Sequence, residues 1–265
     1  MADKEKKIVA VPENEDSKKA AATIKQKTPT GNAGGLRVGA IILWILGIGF
    51  EVVAILGLKS KLGITFLSPL WQCIIALVLD LICVVIGSQL WKKSNRIDPA
   101  SEKDKVKFWL WNNIGVIVSV IAFVPFIIIA LTDKNNDKKT KIIAVVVAAI
   151  ALAIAGLTSY TWNPVSSEQL QAAQNALGDT TVYWTVHGNT VHKYHIDSDC
   201  YSLKNAVDDT IYSGTVDTAF EQKATALCKN CQKRHLEDIE GIENVFTGDE
   251  KGKEAEELEE ESIPE

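Results

Sequence analysis

Between Leu36 and Trp162 the chain carries four apolar runs, at residues 36–58, 70–91, 108–131 and 142–162. A helix needs about 20 residues to cross a hydrocarbon core of about 30 Å. Each run meets that length, and none carries Lys or Arg beyond its ends. Backbone that enters lipid must satisfy its own N–H and C=O groups, so such runs are expected to be helices. Four in succession argue against the helices of a water-soluble core. The expected fold is an α-helical membrane bundle of four transmembrane helices followed by a small α+β C-terminal domain.

Aromatic residues support the same spans. Trp71, Trp91, Phe108, Trp109, Trp111, Tyr160 and Trp162 fall near the ends of runs, where amphipathic rings favour the membrane interface. Trp44 lies further inside and departs from this pattern. Pro125, within the third run, predicts a kink whose freed carbonyl is satisfied by neighbouring helices.

Basic residues set an orientation. The N-terminal arm brings Lys18, Lys19, Lys25, Lys27 and Arg37 close to the first run, and the middle loop carries Lys92, Lys93, Arg96, Lys103, Lys105 and Lys107. The other two loops carry Lys59 and Lys61, then Lys134, Lys138, Lys139 and Lys141. By the positive-inside rule the arm and middle loop face the cytoplasm. An even number of spans then makes both termini of this multi-pass cell-membrane protein cytoplasmic.

The net charge of −5 averages a basic arm with an acidic tail and says little about either. Residues 1–35 show no apolar periodicity and are expected to be disordered, as is the Glu-rich tail over residues 241–265. No secretory signal peptide is visible, so the first run is expected to act as an uncleaved anchor. Residues 163–180 read as a linker with a short helix, capped by Ser166 or Ser167. A compact domain is expected over residues 181–240. In it, residues 181–186 and 190–196 form a hairpin, and residues 211–213 form a further strand-like piece. One helix is expected from Thr215 through Ala224, and another over residues 232–240.

The cysteines divide into two groups. Cys73 and Cys83 lie in an apolar run, where a thiol behaves as a small hydrophobe. Cys200, Cys228 and Cys231 lie in the polar domain, an odd number for a disulfide framework. His195-x4-Cys200 with Cys228-x2-Cys231 has metal-ligand spacing, and thiolate with imidazole favours zinc. Cys-x-x-Cys reaches one ion from a tight turn, and a distant second pair completes a tetrahedron. Spacing leaves the fourth ligand open: His235, one turn after Cys231, competes with His195, and His187 and His192 are close in sequence. Asp197 and Asp199 read as loop formers.

Residues 181–185 (TVYWT), 194–200 (YHIDSDC), 213–219 (SGTVDTA) and 228–231 (CKNC) together resemble the Ada-like metal-binding superfamily. The resemblance covers about residues 181–235. It implies a hairpin bearing one ligand pair and a helix opening at the CxxC, with His195, Cys200, Cys228 and Cys231 as ligands. The membrane part, through Ser88-Gln-Leu-Trp-Lys-Lys93 and Asp98-Pro-Ala-Ser101, resembles an uncharacterised family of bacterial four-span proteins ending in such a domain. The namesake repair domain uses four cysteines. The histidine here argues against alkyl transfer.

Charge argues against nucleic acid as well. From Thr181 to Leu236 there are six Lys or Arg and six Asp or Glu, with no basic face to gain from counterion release. Two acids fall inside the spans, Glu51 and Asp80. Acids at that depth are costly and mark candidate functional sites. The simpler reading is a pair of neutral acids bridging helices through Gln72, Gln89, Asn112 or Asn113. No catalytic constellation stands out, so the chain is not expected to be an enzyme. The preferred expectation is a bilayer-anchored structural zinc module that binds a protein partner. A small transport or proton-coupled protein using Glu51 and Asp80 is the alternative. A thiol/metal redox sensor is the weaker one.

Overall fold

A computed structural model describes residues 6–11, 32–63, 65–134, 136–186, 192–208 and 210–248. The chain forms two compact units. One comprises Asn32–Asn95 and Lys103–Pro164. The other comprises the N-terminal arm, the short segment Arg96–Glu102 and everything from Val165.

The first unit is helical. Helix α1 (Ala33–Leu58) starts where the Asn32 side chain accepts the Gly35 N–H at 2.7 Å. It ends before Ser60, whose φ of 55° cannot continue a helix. Helix α2 (Pro69–Ile97) opens on proline, which lacks only an N–H that a first turn leaves unused. Helices α3 (Lys105–Asn112) and α5 (Lys138–Ser159) are capped by Asp104 and Asp137, whose carboxylates accept the N–H of Lys107 and Thr140. Helix α4 (Ile114–Thr132) lies between them. Four of the five, α1, α2, α4 and α5, are long and apolar enough to cross a membrane.

The third run differs from the expected span of 108–131. It breaks at Asn113 into α3 and α4. The amides of Asn112 and Asn113 turn back to the carbonyls of Phe108 and Trp109, and Asn113 Oδ1 accepts the Thr161 N–H. Asparagine in this way offers the backbone an alternative to continuous helix. Interior positions are mostly small: Ala54 and Ala76, then Ala122 and Ala130, and four alanines of α5, at 144, 148, 151 and 155. Trp44 is buried because its ring packs 5.4 Å from Trp91, which in turn sits 5.1 Å from Trp111. Arg37 lies over the Trp111 ring at 5.3 Å. Beside Pro125, the Phe126 N–H is taken by Glu51 Oε1 at 3.1 Å.

The second unit is built on a five-stranded sheet in the order β1-β4-β2-β3-β5. The strands are β1 (Lys7–Ala10), β2 (Val182–Trp184), β3 (His192–His195), β4 (Thr210–Gly214) and β5 (Ala224–Leu227). The inner pairs β4–β2 and β2–β3 are antiparallel, and the outer pairs β1–β4 and β3–β5 are parallel. Helix α6 (Ser167–Leu177) precedes the sheet, α7 (Tyr201–Lys204) follows β3, α8 (Val216–Glu221) links β4 to β5, and α9 (Lys229–Arg234) follows β5. Ser166 is the cap of α6, in a reciprocal pair with Gln169. Trp184, Tyr194, Leu203, Phe220, Leu227 and Ile242 fill the core.

Several boundaries depart from the sequence reading. The arm is not disordered throughout: residues 7–10 form β1, in register from Lys7 with Thr210 to Ala10 with Ser213. The tail also starts later than residue 241, because Ile242 and Val245 are buried in the core and a 3₁₀ turn spans Ile242–Asn244. The helix expected from Thr215 through Ala224 stops at Glu221, since Lys223 adopts φ 70°, and Ala224 begins a strand. The last helix lies at residues 229–234 rather than 232–240. The remainder of both tails, and His187 in the expected hairpin turn, lie outside the described residues.

Candidate metal centre

Sequence-distant segments place four donor atoms together. His195 ends β3, and Cys200 caps α7 five residues later. Cys228 follows β5 directly and caps α9, which carries Cys231 in its first turn. The parallel pairing of β3 with β5 brings the two segments side by side, and the Cys228 N–H closes it on the Tyr194 carbonyl at 2.9 Å. One nitrogen and three sulfurs then lie within 4.8 Å of one another, and all four residues are buried.

The spacings fit one ion. Cys200 Sγ is 4.0 Å from Cys228 Sγ, and Cys231 Sγ is 3.8 Å from His195 Nδ1. A tetrahedral centre with metal–sulfur bonds of about 2.3 Å has edges of about 3.8 Å. Burial, with Lys193 and Arg234 nearby, pushes the His195 imidazole down to about 4, so the ring is neutral at neutral pH and one of its nitrogens offers a lone pair. The thiols differ among themselves. Burial pushes Cys231 up to about 12. Burial also opposes ionisation of Cys228, but the N–H groups of Cys231 and Asn230 outweigh it and hold this thiol below its usual value. A shared cation is what lets closely packed thiols lose their protons together. The four side chains can therefore hold a metal ion.

His235, the rival ligand on spacing, is not among these four. Its Nε2 lies 3.0 Å from Asp197 Oδ1, while Arg234 Nη2 meets Asp197 Oδ2 at 2.7 Å and approaches Cys231 Sγ at 3.7 Å. Asp197, read from sequence as a loop former, thus joins the His195–Cys200 loop to the end of α9. This clamp was missed because nothing local pairs residue 197 with residues 234 and 235. His192 lies on β3, two strand positions before Tyr194. An open pocket of about 260 Å³ borders the centre, lined by Thr185, Lys193, His195, Ser202, Cys228 and Asn230.

The intramembrane candidates sit in the other unit. Glu51 and Asp80 are both buried in the helical interior. The amides read as their bridging partners donate elsewhere: Gln72 to Leu67 O, Gln89 to Thr158 O, and Asn112 and Asn113 within α3.

The chain matches no protein-family model, and no curated protein or solved structure shows significant similarity to it.

Proposed function

We propose that this protein is a multi-pass membrane protein whose four helices anchor a structural zinc module, and that the module presents a cytoplasmic surface to a protein partner. The observation that carries the reading is the closed set of four buried donors, one imidazole and three thiols, within 4.8 Å. That donor chemistry favours zinc over harder cations. Four protein ligands fill a tetrahedron and leave no position for a reactive water, which favours a structural ion over a catalytic one. The resemblance to Ada-like domains supports the same ligand set, with His195 standing where the repair domain has a cysteine.

The helices support the anchor. Large side chains such as Ile45, Ile128, Leu131, Ile150 and Leu157 project outward from them, a surface suited to hydrocarbon rather than water. The sheet bears on topology too. β1 precedes the four apolar helices and β4 follows them, yet they pair. This pairing supports a reading in which the segments on either side of the helices share one compartment, which an even number of crossings satisfies. The basic arm and middle loop favour the cytoplasm as that compartment.

Metal analysis of the full-length protein, purified in mild detergent, tests this reading. One zinc per chain is expected, lost in Cys228→Ser and in His195→Ala and retained in His235→Ala. Wild-type protein without stoichiometric zinc, or a His195→Ala variant that keeps it while His235→Ala loses it, refutes the proposed centre. Protease accessibility of the C-terminal domain in sealed right-side-out vesicles tests orientation, and cleavage without lysis contradicts the cytoplasmic assignment.

A further inference from the structure

Asp80 on α2 is fully buried, and neither carboxyl oxygen has a hydrogen-bond partner among the described residues. Its Oδ1 is aimed at α1, where a Cβ built on Gly47 would lie only 2.8 Å away. Glu51 stands one turn further along that face of α1, within electrostatic reach of Asp80. Glu51 is itself buried, and its Oε1 takes the Phe126 N–H of α4. Cys83, about one turn along α2, is the other titratable group facing Asp80. The apolar runs supply no Lys or Arg to the pair. A carboxylate without cation or donors in such surroundings is far costlier than a neutral acid.

The ligand that resolves this cost must be small. A hard metal ion takes about six oxygens, more than two carboxyls provide, and the close approach at Gly47 leaves no room for others. A proton needs neither. A second set of buried polar atoms leads away from the pair. The hydroxyls of Ser88 on α2 and Ser159 on α5 are both without partners among the described residues, and they flank Gly115 of α4. A Cβ on Gly115 would lie 2.6 Å from Ser88 Oγ and 3.1 Å from Ser159 Cβ. Ser88 follows Asp80 by eight residues, two turns on the same face and about 12 Å along the axis.

We propose that Asp80 and Glu51 form a proton-binding site inside the bundle that exchanges with solvent past Ser88 and Ser159. In the exchange, the O–H bond of the Asp80 carboxyl breaks and the proton passes to a water molecule that enters the bundle transiently from the end marked by Ser88 and Ser159. Bulk water is the final acceptor. The Asp80 carboxylate is transient, and a proton returning from water along the same path restores the neutral acid.

Infrared spectroscopy of the full-length protein in phosphatidylcholine vesicles tests the site without reference to the zinc module. At neutral pH a protonated-carboxyl C=O band is expected, weakened by Asp80→Asn and by Glu51→Gln. Transfer to D₂O should shift the band within minutes, and Ser88→Val should slow that shift on the order of tenfold. A wild-type spectrum without the band, or a band that does not shift in D₂O, overturns the proposal and requires no variant to fold. A band that persists unchanged in both acid variants, or exchanges equally fast in Ser88→Val, overturns it too.

Discussion

Helix α5 of the bundle and the sheet core of the C-terminal domain bury different kinds of side chain. In α5 the interior positions are Ala144, Ala148, Ala151 and Ala155, while Ile142, Val146, Ile150, Ile154 and Leu157 face outward. In the domain the interior holds Trp184, Tyr194 and Phe220. Water rewards hiding large apolar surface, so a water-facing domain encloses its biggest residues. Hydrocarbon gives no such reward, so helices within it gain from close backbone approach over small residues. The two regions also differ in what closes them. The bundle relies on packing along its length, whereas the domain gathers four side chains that can hold a metal ion at one end of a small sheet.

This contrast can be broken most severely at the metal. Cys231→Ala is expected to abolish zinc binding and unfold the domain, because structural zinc binding is linked to about 10 kcal/mol or more of folding free energy. Near-ultraviolet circular dichroism should collapse while the helical signal of the bundle persists. Equal loss of both would show that the regions are not independent in stability.

Core substitutions sharpen the opposition. Trp184→Ala should cost about 3–5 kcal/mol in the unfolding of the zinc-loaded protein. In the bundle the damaging change runs the other way: Ala148→Leu overfills the seam and should cost about 1–3 kcal/mol, read as a lower melting temperature in detergent. A bundle indifferent to Ala148→Leu would remove the argument from small residues. Asp197→Ala releases the clamp on His235 and Arg234 and should weaken zinc affinity by about 10–100-fold, measured by competition with a chelator. Ser166→Ala removes the cap of α6 and should cost about 1 kcal/mol.

The smallest effect expected is one of pH. Partial burial would raise the Glu168 carboxyl, but hydrogen bonds from Ser101 and from the Glu102 N–H outweigh it and hold the group at about 2. An unfolded glutamate titrates near about 4.3. The folded value is the lower one, so the stabilisation is present above about 4.3 and is lost as pH falls towards 2. Glu168→Gln should flatten the melting temperature over that window. An unchanged slope would show that the segment at residues 96–102 is held by other contacts.

What could be read from sequence follows the range of the interactions concerned. The four long apolar helices were legible because each is specified by its own composition. The ligand spacing was legible because three residues apart, or five, is a local relation. The break at Asn113 was overlooked because a run judged by hydropathy does not register a side-chain amide competing with the helix. β5 went unrecognised, with the helix from Thr215 carried through Ala224, because Ala224–Leu227 is buried on both faces and shows no alternation. β1 was invisible in a polar arm because its partner lies about two hundred residues away. The role of Asp197 was equally hidden, since residues 234 and 235 reach it only once β3 and β5 have paired.

The pairing of β1 with β4 also imposes a schedule on synthesis. Lys7–Ala10 leaves the ribosome before any of the apolar helices, but Thr210–Gly214 emerges only after all of them. At about 5–20 residues per second, the arm must wait roughly ten seconds or longer. Throughout that interval its unpaired backbone is available to any other strand edge it meets, so a chaperone or a neighbouring nascent chain has its opportunity then.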